Sequence, residues 1–225
     1  KPGRVPSPWG PRWSRWVGVF LAKVVWNTKV IGKLPATGPV LFAPNHTGVV
    51  DGPIVHGAVR RPNHIMVKAE AFEGFFAPIM RASGQIYTDR LASRGALRAA
   101  LGVLERGGVV GVFPEGYRGQ GRATDVRSGI SWLAMQSGAP VVPVAVLGTR
   151  PTGKSVSYIP PLRAKLVVDI GEPFMVDVPD GMPGRQARQL ATQQIQHRLA
   201  DHIRQSCDRH GIALPDDGPT GIGQV

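Results

Sequence analysis

A histidine and an aspartate five residues apart are the pair best suited to acid–base chemistry. His46 and Asp51 follow residues 40–43, an apolar run typical of a buried strand. A carboxylate bonded to one imidazole nitrogen fixes the tautomer, and the other nitrogen can then accept a proton from an alcohol. Because five residues turn about 140° on a helix, only a loop that folds back into a helix start can join the two. The alternative interpretation is that Asp51 caps a helix and His46 is an ordinary loop residue.

Two further polar groups follow predicted strands and suit a phosphate ligand. The glycine-rich stretch 114–122 contains Arg118 and Arg122, whose forked guanidinium donors match phosphate oxygens. Its glycines let a ligand approach the backbone closely. Asp89 and Arg90 end another strand candidate, and Arg90 is a second candidate for binding phosphate. The alternatives are a solvated surface turn and a local ion pair at a helix start.

The alternation of short apolar runs with helical stretches indicates the fold that would hold these groups. The predicted strands are residues 40–43, 64–67, 85–88, 109–113, 141–147 and 165–170. The predicted helices are residues 52–59, 69–81, 91–106, 125–137 and 184–210. This order predicts a layered α/β fold with a largely parallel central sheet and helices on both faces. In such folds ligands bind at the carboxyl ends of the strands, where the polar groups lie.

The first 33 residues differ from the rest in charge and in aromatic content. Residues 1–50 hold seven basic residues and no acidic one. Read as a helix, residues 9–29 place a set of large apolar side chains on one stripe, namely Trp9, Trp13, Trp16, Val17, Phe20 and Val24. Tryptophan prefers the membrane boundary, and basic side chains favour an anionic leaflet. We therefore expect residues 1–33 to form an amphipathic, membrane-associating helical segment. The alternative is a helix whose stripe covers the core.

The composition restricts the partners and the organisation of the chain. The 225 residues carry a formal net charge of +12, which favours nucleic acid, an anionic membrane surface or phosphorylated substrates. A nucleic-acid partner is not predicted, because the tryptophans cluster in one helix and no recognition motif is found. Cys207 is the single cysteine, so neither an intrachain disulfide nor a cysteine-based zinc site is possible, and no metal is expected.

Three segments are predicted along the chain. The membrane-associating segment 1–33 is followed by one domain over residues 34–213, and residues 214–225 form a tail rich in Gly, Pro and Asp that we expect to be mobile. No apolar run approaches the roughly 20 residues that a transmembrane helix needs. The longest uncharged stretch is broken by Pro140 and Pro143.

Four sequence blocks resemble, in order, those of the glycerolipid acyltransferases, the lysophosphatidate (1-acylglycerol-3-phosphate) acyltransferase family. They read NHTGVVD, GQIYTDR, FPEGYRG and VPVAV, and together they extend over residues 45–146. The VKAE segment, which contains Lys68, is similar to a family segment between the first two blocks. Gly48, Tyr117 and Gly119 depart from the Ser, Thr and Ser that are usual in the family.

The resemblance implies acyl transfer without a covalent enzyme intermediate. His46 would deprotonate the acceptor hydroxyl, Asp51 would orient His46, and the alkoxide would attack an acyl thioester of coenzyme A or acyl carrier protein. The implied phosphate-binding residues are Lys68, Arg90, Glu115, Gly116 and Arg118. The implied supporting residues are Asn45, Asp89 and Pro114.

The resemblance also implies the partners and the location of the protein. Family members are monotopic proteins on the cytoplasmic leaflet, so we expect a peripheral protein on the cytoplasmic face of the cell membrane. Its partners would be an anionic membrane surface, a phosphorylated lipid acceptor and an acyl thioester, and no cofactor is expected. The departures in the first and third blocks leave glycerol-3-phosphate or another alcohol open as the acceptor. An inactive membrane-binding adaptor with this fold is a further alternative.

Overall fold

The computed structural model describes residues 3–72, 77–88 and 93–217, and it contains a seven-stranded sheet between two layers of helices. The strands are β1 (Asn27–Ile31), β2 (Val40–Pro44), β3 (Asn63–Lys68), β4 (Ile86–Thr88), β5 (Val109–Gly111), β6 (Val141–Leu147) and β7 (Lys165–Ile170). The helices are α1 (Trp9–Phe20), α2 (Asp51–Ala58), α3 (Ala77–Ala82), α4 (Ser93–Glu105), α5 (Gly129–Ser137) and α6 (Gly184–His210). A π-helical turn (Leu21–Val25) follows α1, and a 3₁₀ turn (Ala69–Phe72) follows β3.

The sheet gathers five strand ends at one edge. Its order is β1-β7-β6-β2-β5-β3-β4. The strands β6, β2, β5, β3 and β4 run parallel to one another, whereas β7 is antiparallel to β6 and β1 runs parallel to β7. The predicted α/β fold with a largely parallel sheet is confirmed. The carboxyl ends of five strands therefore meet at the same edge.

The side chains of the central strand β2 point alternately into two apolar clusters, one on each face of the sheet. Val40 and Phe42 of β2 belong to one apolar cluster, and Leu41 and Ala43 belong to the other. The first cluster is completed by α2 and the π-helical turn, and the second by α4, α5 and α6. Successive side chains of a strand point to opposite faces, so every residue of a fully covered strand is apolar. Helices therefore cover both faces of the sheet, as predicted.

The prediction of one helix over residues 9–29 is wrong beyond residue 25. The helical backbone ends at Trp26, whose indole N–H donates to the Pro160 carbonyl at 3.0 Å. Residues Asn27–Ile31 then form the edge strand β1, which pairs with β7. This segment is rich in β-branched side chains, and the backbone of β7 offers it hydrogen bonds that a continued helix would leave unmade. The sheet thus begins inside the segment 1–33.

Helix α1 packs its small residues inward. Gly10, Pro11, Ser14 and Gly18 are buried. The side chains of the predicted stripe are all exposed, namely Trp9, Trp13, Trp16, Val17, Phe20 and, in the following turn, Val24. The alternative in which this stripe covers the core is therefore wrong. No helix of the described ranges has both the length and the apolarity needed to cross a bilayer.

Candidate active site

The loops that carry the predicted chemistry meet at the carboxyl edge of the parallel strands. His46 follows the central strand β2, and Glu115 follows its neighbour β5. Lys68 is the last residue of β3, and Arg150 follows β6 on the other side of β2. Residues separated by up to about a hundred positions in the sequence are therefore neighbours in space, as the strand order dictates.

The predicted His–Asp pair is formed at the start of α2. His46 Nδ1 lies 2.9 Å from Asp51 Oδ2, and the same oxygen accepts the backbone N–H groups of Thr47 at 2.7 Å and Gly48 at 2.8 Å. Asp51 is fully buried, whereas 17% of the His46 side chain is exposed. The loop folds back into the helix, so Asp51 both closes the loop and holds the imidazole. Since an ionised carboxylate only accepts, Nδ1 carries the proton and Nε2 is the basic nitrogen.

An aromatic ring fixes the plane of the imidazole. Phe113, in the loop after β5, stacks on His46 with ring centroids 4.2 Å apart and an interplanar angle of 29°. Together with the Asp51 hydrogen bond, this contact determines where Nε2 points. A base held in this way has little freedom to leave the reactive orientation.

Asn45 joins the histidine loop to β6. Its side-chain oxygen accepts the Val146 N–H at 2.7 Å, and its amide nitrogen donates to the Val146 carbonyl at 3.2 Å. Pro44 ends β2, and the Asn45 side chain continues the pairing with β6 where the strand stops. These two hydrogen bonds tie the residue that precedes His46 to β6.

Glu115 is buried beside the pair and ties two loops together. It is 3% exposed, and its carboxylate accepts the Ala123 N–H at 3.2 Å and the backbone N–H of His46. Burial, and then the negative charge of Asp51, raises the pKa of Glu115 to about 7. The carboxyl group can therefore donate or accept a hydrogen bond near neutral pH.

The remaining residues of the third block form a tight turn. Pro114 is buried, and its carbonyl accepts the Arg127 N–H at 2.9 Å. Gly116 has a φ of 71°, and a Cβ there would collide with the Arg127 guanidinium group. Arg118 is exposed beyond this turn. The Arg118 side chain is therefore exposed at the far end of the turn, whereas Pro114 and Glu115 at its start are buried.

The structure brings only some of the predicted phosphate ligands together. Glu115 and Gly116 are adjacent to the His46 loop, and Lys68 is exposed at the end of β3. Asp89 and Arg90 lie outside the described residues. In the described ranges, no three His, Cys, Asp or Glu side chains are grouped so as to hold a metal ion.

A polar cleft of about 230 Å³ opens beside Glu115. The loop of residues 117–124 lines its other walls, with Tyr117, Gln120 and Arg122 among the lining side chains. A larger cleft of about 460 Å³ lies between α5 and α6, lined by polar side chains such as Arg185 and Arg188. We assign the smaller cleft to the site because it contains Glu115, which hydrogen-bonds to the histidine loop.

Sequence reasoning missed two residues that hold the histidine loop in place. The Thr149 and Thr47 hydroxyl oxygens are 2.8 Å apart, and Arg150 donates to the Thr47 carbonyl at 3.0 Å. A signal for both was present, because they follow a buried strand at the same edge as His46. The fourth block, residues 142–146, lies within this strand.

Part of the chain is similar in sequence to known proteins. A family model described as Acyltransferase matches residues 27–147. The 1-acyl-sn-glycerol-3-phosphate acyltransferase of Borreliella burgdorferi is 28% identical over 121 residues, which cover 52% of this chain and 48% of that protein. The match therefore spans about half the length of this relative.

A solved structure is similar in fold. The crystal structure of the 1-acyl-sn-glycerophosphate (LPA) acyltransferase PlsC from Thermotoga maritima superposes with a TM-score of 0.61, covering 85% of this chain and 78% of that chain. The two sequences are 21% identical in this comparison, so the likeness concerns the fold alone.

Proposed function

The chain belongs to the acyltransferase family, and from this premise we propose that it transfers a fatty acyl group from an acyl thioester to the hydroxyl of lysophosphatidate, giving phosphatidate. The observation that carries the proposal is the 2.9 Å contact between His46 Nδ1 and Asp51 Oδ2, in a loop at the carboxyl end of the central strand. This pair leaves one imidazole nitrogen as a base.

The acyl transfer proceeds without a covalent enzyme intermediate. His46 Nε2 takes the proton of the acceptor hydroxyl as its oxygen attacks the thioester carbonyl, and Asp51 stabilises the imidazolium that forms. When the tetrahedral intermediate collapses, the C–S bond breaks and the thiolate takes the proton back from His46. The ester and the free thiol are the products, and His46 returns to its neutral state.

The proposed acceptor site is the polar cleft beside Glu115. Arg118 and Arg122 are exposed near it and would bind the acceptor phosphate. Lys68 and Arg90 are the further phosphate ligands that the family resemblance implies. Its volume of about 230 Å³ suits a phosphorylated headgroup and not an acyl chain. The donor is the thioester of coenzyme A or acyl carrier protein, and no cofactor takes part. Glycerol-3-phosphate or another alcohol is the alternative acceptor, because Tyr117 and Gly119 depart from the family pattern at this cleft.

We propose that α1 anchors the protein to the anionic surface of the cell membrane, on its cytoplasmic face. Its exposed stripe is aromatic, and the guanidinium groups of Arg12 and Arg15 lie 4.9 Å from the ring centres of Trp9 and Trp16. Basic and aromatic side chains on one helix face suit the headgroup layer.

A neighbouring loop carries two more exposed apolar side chains. Ile159 and Leu162 are exposed there, 67% and 74% respectively. The same loop is joined to the end of the helical segment by the Arg163 N–H, which donates to the Val25 carbonyl at 2.7 Å. The peripheral anchor would thus include α1 and this loop.

The test of the activity is thioester consumption in mixed micelles of long-chain acyl-CoA and lysophosphatidate. We expect His46→Ala to lower turnover by about 10²–10⁴-fold. The matched control is His197→Ala, which removes a largely exposed histidine on α6 and is expected to leave turnover unchanged. Near-normal turnover in His46→Ala would contradict the mechanism.

Acceptor and donor are compared in the same assay. Turnover with glycerol-3-phosphate or another alcohol, but not with lysophosphatidate, would favour the alternative acceptor. If wild type consumes no thioester with any acceptor, from coenzyme A or from acyl carrier protein, the adaptor hypothesis replaces the enzyme.

The test of the anchor is co-sedimentation with anionic vesicles. Replacing Trp9, Trp13 and Trp16 with Ser is expected to weaken vesicle binding far more than it lowers the melting temperature. Met175→Ser is the control, since Met175 is also exposed but lies beside the segment that pairs with the start of β6. Equal vesicle binding by the triple variant and wild type would refute the anchor.

A further inference from the structure

Arg150 is a fully buried arginine at the carboxyl edge of the sheet. Its side chain has no exposed surface, and the whole residue is 2% exposed. Its guanidinium group donates to the carbonyl oxygens of Thr47 at 3.0 Å, Gly119 at 3.0 Å and Lys154 at 2.8 Å. A buried cation is tolerated only when its donors are paired, so these three loops are drawn to one point.

Two of these loops carry the proposed chemistry. Thr47 follows the proposed base His46, and Gly119 follows Arg118. The loops are also joined directly, because the Gly119 N–H donates to the His46 carbonyl at 2.9 Å. The guanidinium group thus bridges the residues after His46 and after Arg118. Its planar fork fixes the distance between the two loops, which a single ammonium group cannot do.

A carboxylate near the end of the chain completes the arrangement. Asp217 Oδ1 lies 3.1 Å from Arg150 Nη1, and Asp217 Oδ2 accepts the Gly153 N–H at 2.7 Å. Burial opposes ionisation here, but the Gly153 hydrogen bond and the Arg150 charge lower the pKa of the Asp217 carboxyl. The preceding carbonyl, that of Asp216, accepts the Gln120 amide at 2.9 Å. Residues 214–217, assigned to the tail from sequence, are thus held against the site loops.

We propose that Arg150 is a positioning residue for the acyl transfer, with Asp217 as its counterion: it sets the spacing between the loop of the base and the loop of the acceptor-binding residues. Arg150 touches neither substrate, and it acts through Thr47 and Gly119. The activity readout of this inference rests on the proposed function, whereas its structural readout does not.

The chain offers a matched control for the Arg150 variant. The Arg61 guanidinium group also gathers loop carbonyls, those of Pro35 at 2.9 Å, Gly38 at 2.7 Å and Gly107 at 3.1 Å. These residues precede β2 and β5, so Arg61 acts at the amino ends of the strands, opposite the site. Arg61→Lys and Arg150→Lys remove the same fork from two ends of the same sheet.

The experiment compares Arg150→Lys, Asp217→Asn, Arg61→Lys and wild type, all as full chains. We expect Arg150→Lys to lower kcat by about 10²-fold with little change in KM, because a misplaced base affects the chemical step. Asp217→Asn, at the more accessible end of the pair, should lower kcat by a smaller factor. Arg61→Lys should lower the melting temperature and leave kcat unchanged.

Amide hydrogen exchange supplies the readout that is independent of activity. We expect the Gly119 N–H to exchange about tenfold faster or more in Arg150→Lys, and the Val112 N–H, which donates to Phe42 in the sheet, to keep its wild-type rate. A wild-type exchange rate at Gly119 would overturn the inference. So would a kcat in Arg150→Lys equal to that of Arg61→Lys. If wild type itself has no turnover, the proposed function fails, and the Gly119 exchange still decides whether Arg150 positions the loop.

Discussion

Replacing Asp51 with Asn separates the charge of this carboxylate from its geometry. Asp51 Oδ2 receives three donors, two of which are the fixed backbone N–H groups of Thr47 and Gly48. In the variant the amide oxygen must occupy this position, because an NH₂ group there would face two donors. His46 Nδ1–H then still donates to an oxygen, and the tautomer is kept. The negative charge that stabilises the imidazolium is lost.

The magnitude follows from the two kinds of hydrogen bond. A bond to a charged group contributes about 1.5–3 kcal/mol and a neutral bond about 0.5–1.5 kcal/mol. The difference of about 1–2 kcal/mol in the transition state predicts a loss of about 5–30-fold in kcat. The amide NH₂ would take the place of Asp51 Oδ1, which is buried and has no hydrogen-bond partner in the described structure. Leaving that donor unpaired is expected to lower the free energy of unfolding by about 1–3 kcal/mol.

The assay is kcat at saturating donor and acceptor for wild type, Asp51→Asn, His46→Ala and the double variant. His46→Ala should lose about 10²–10⁴-fold, and the double variant should be no worse than His46→Ala alone. This holds because Asp51 acts on the reaction only through the imidazole. The reasoning is refuted if Asp51→Asn is as damaging as His46→Ala. It is also refuted if the losses multiply in the double variant.

Three further predictions concern the free energy of unfolding, measured by denaturant titration. Because burial raises the pKa of Glu115 from 4.5 to about 7, the unfolded chain releases this proton first and stability falls as the pH rises through that window. Above pH 7 the free energy of unfolding of Glu115→Gln should thus exceed that of wild type by about 3 kcal/mol, although the variant should lose turnover. Equal stability of the two proteins above pH 7 would contradict the raised pKa of Glu115. Burial lowers the pKa of His64 from 6.5 to about 4. The neutral imidazole therefore contributes fully to the free energy of unfolding above pH 6.5, and about 3 kcal/mol of this free energy is lost by pH 4. His64→Gln should remove this acid loss, and an unchanged acid slope would refute it. A Cβ on Gly18 of α1 would lie 2.6 Å from the Gly57 nitrogen of α2, so Gly18→Ala should cost about 1–3 kcal/mol. Gly52→Ala, in open space on α2, should be nearly neutral, and equal effects of the two would refute the close packing.

Much of the fold could be predicted from local sequence pattern. Strands β6 and β7 and helix α6 begin and end at the predicted residues, and the other strand predictions differ by one or two residues. These segments have short apolar runs or a helical apolar period, bounded by Gly or Pro. The predicted helix over residues 69–81 is instead a 3₁₀ turn and the short α3, with residues 73–76 outside the described ranges.

The site could be predicted in part. The residue pattern predicts that His46 and Asp51 lie in a loop before a helix start, and it is compatible both with a contact between them and with a simple helix cap. The 2.9 Å distance depends on Thr47 and Gly48, whose backbone N–H groups turn the loop back onto Asp51. Residue type indicates that a carboxylate can hold an imidazole, but only the path of the backbone decides whether it does.

The α/β layering, the order of the motifs and their positions after strands follow from the residues alone, because hydrophobic period and turn residues are local properties. The strand over residues 27–31 depends instead on a tertiary contact, since β7 supplies its hydrogen bonds. The outward direction of the aromatic stripe of α1 also depends on tertiary packing, since only small residues fit against α2. The role of Arg150 likewise depends on carbonyl groups 103 and 31 residues away in the chain. Backbone carbonyls are the same for every residue type, so no pattern of side chains could have shown where this guanidinium group finds its partners.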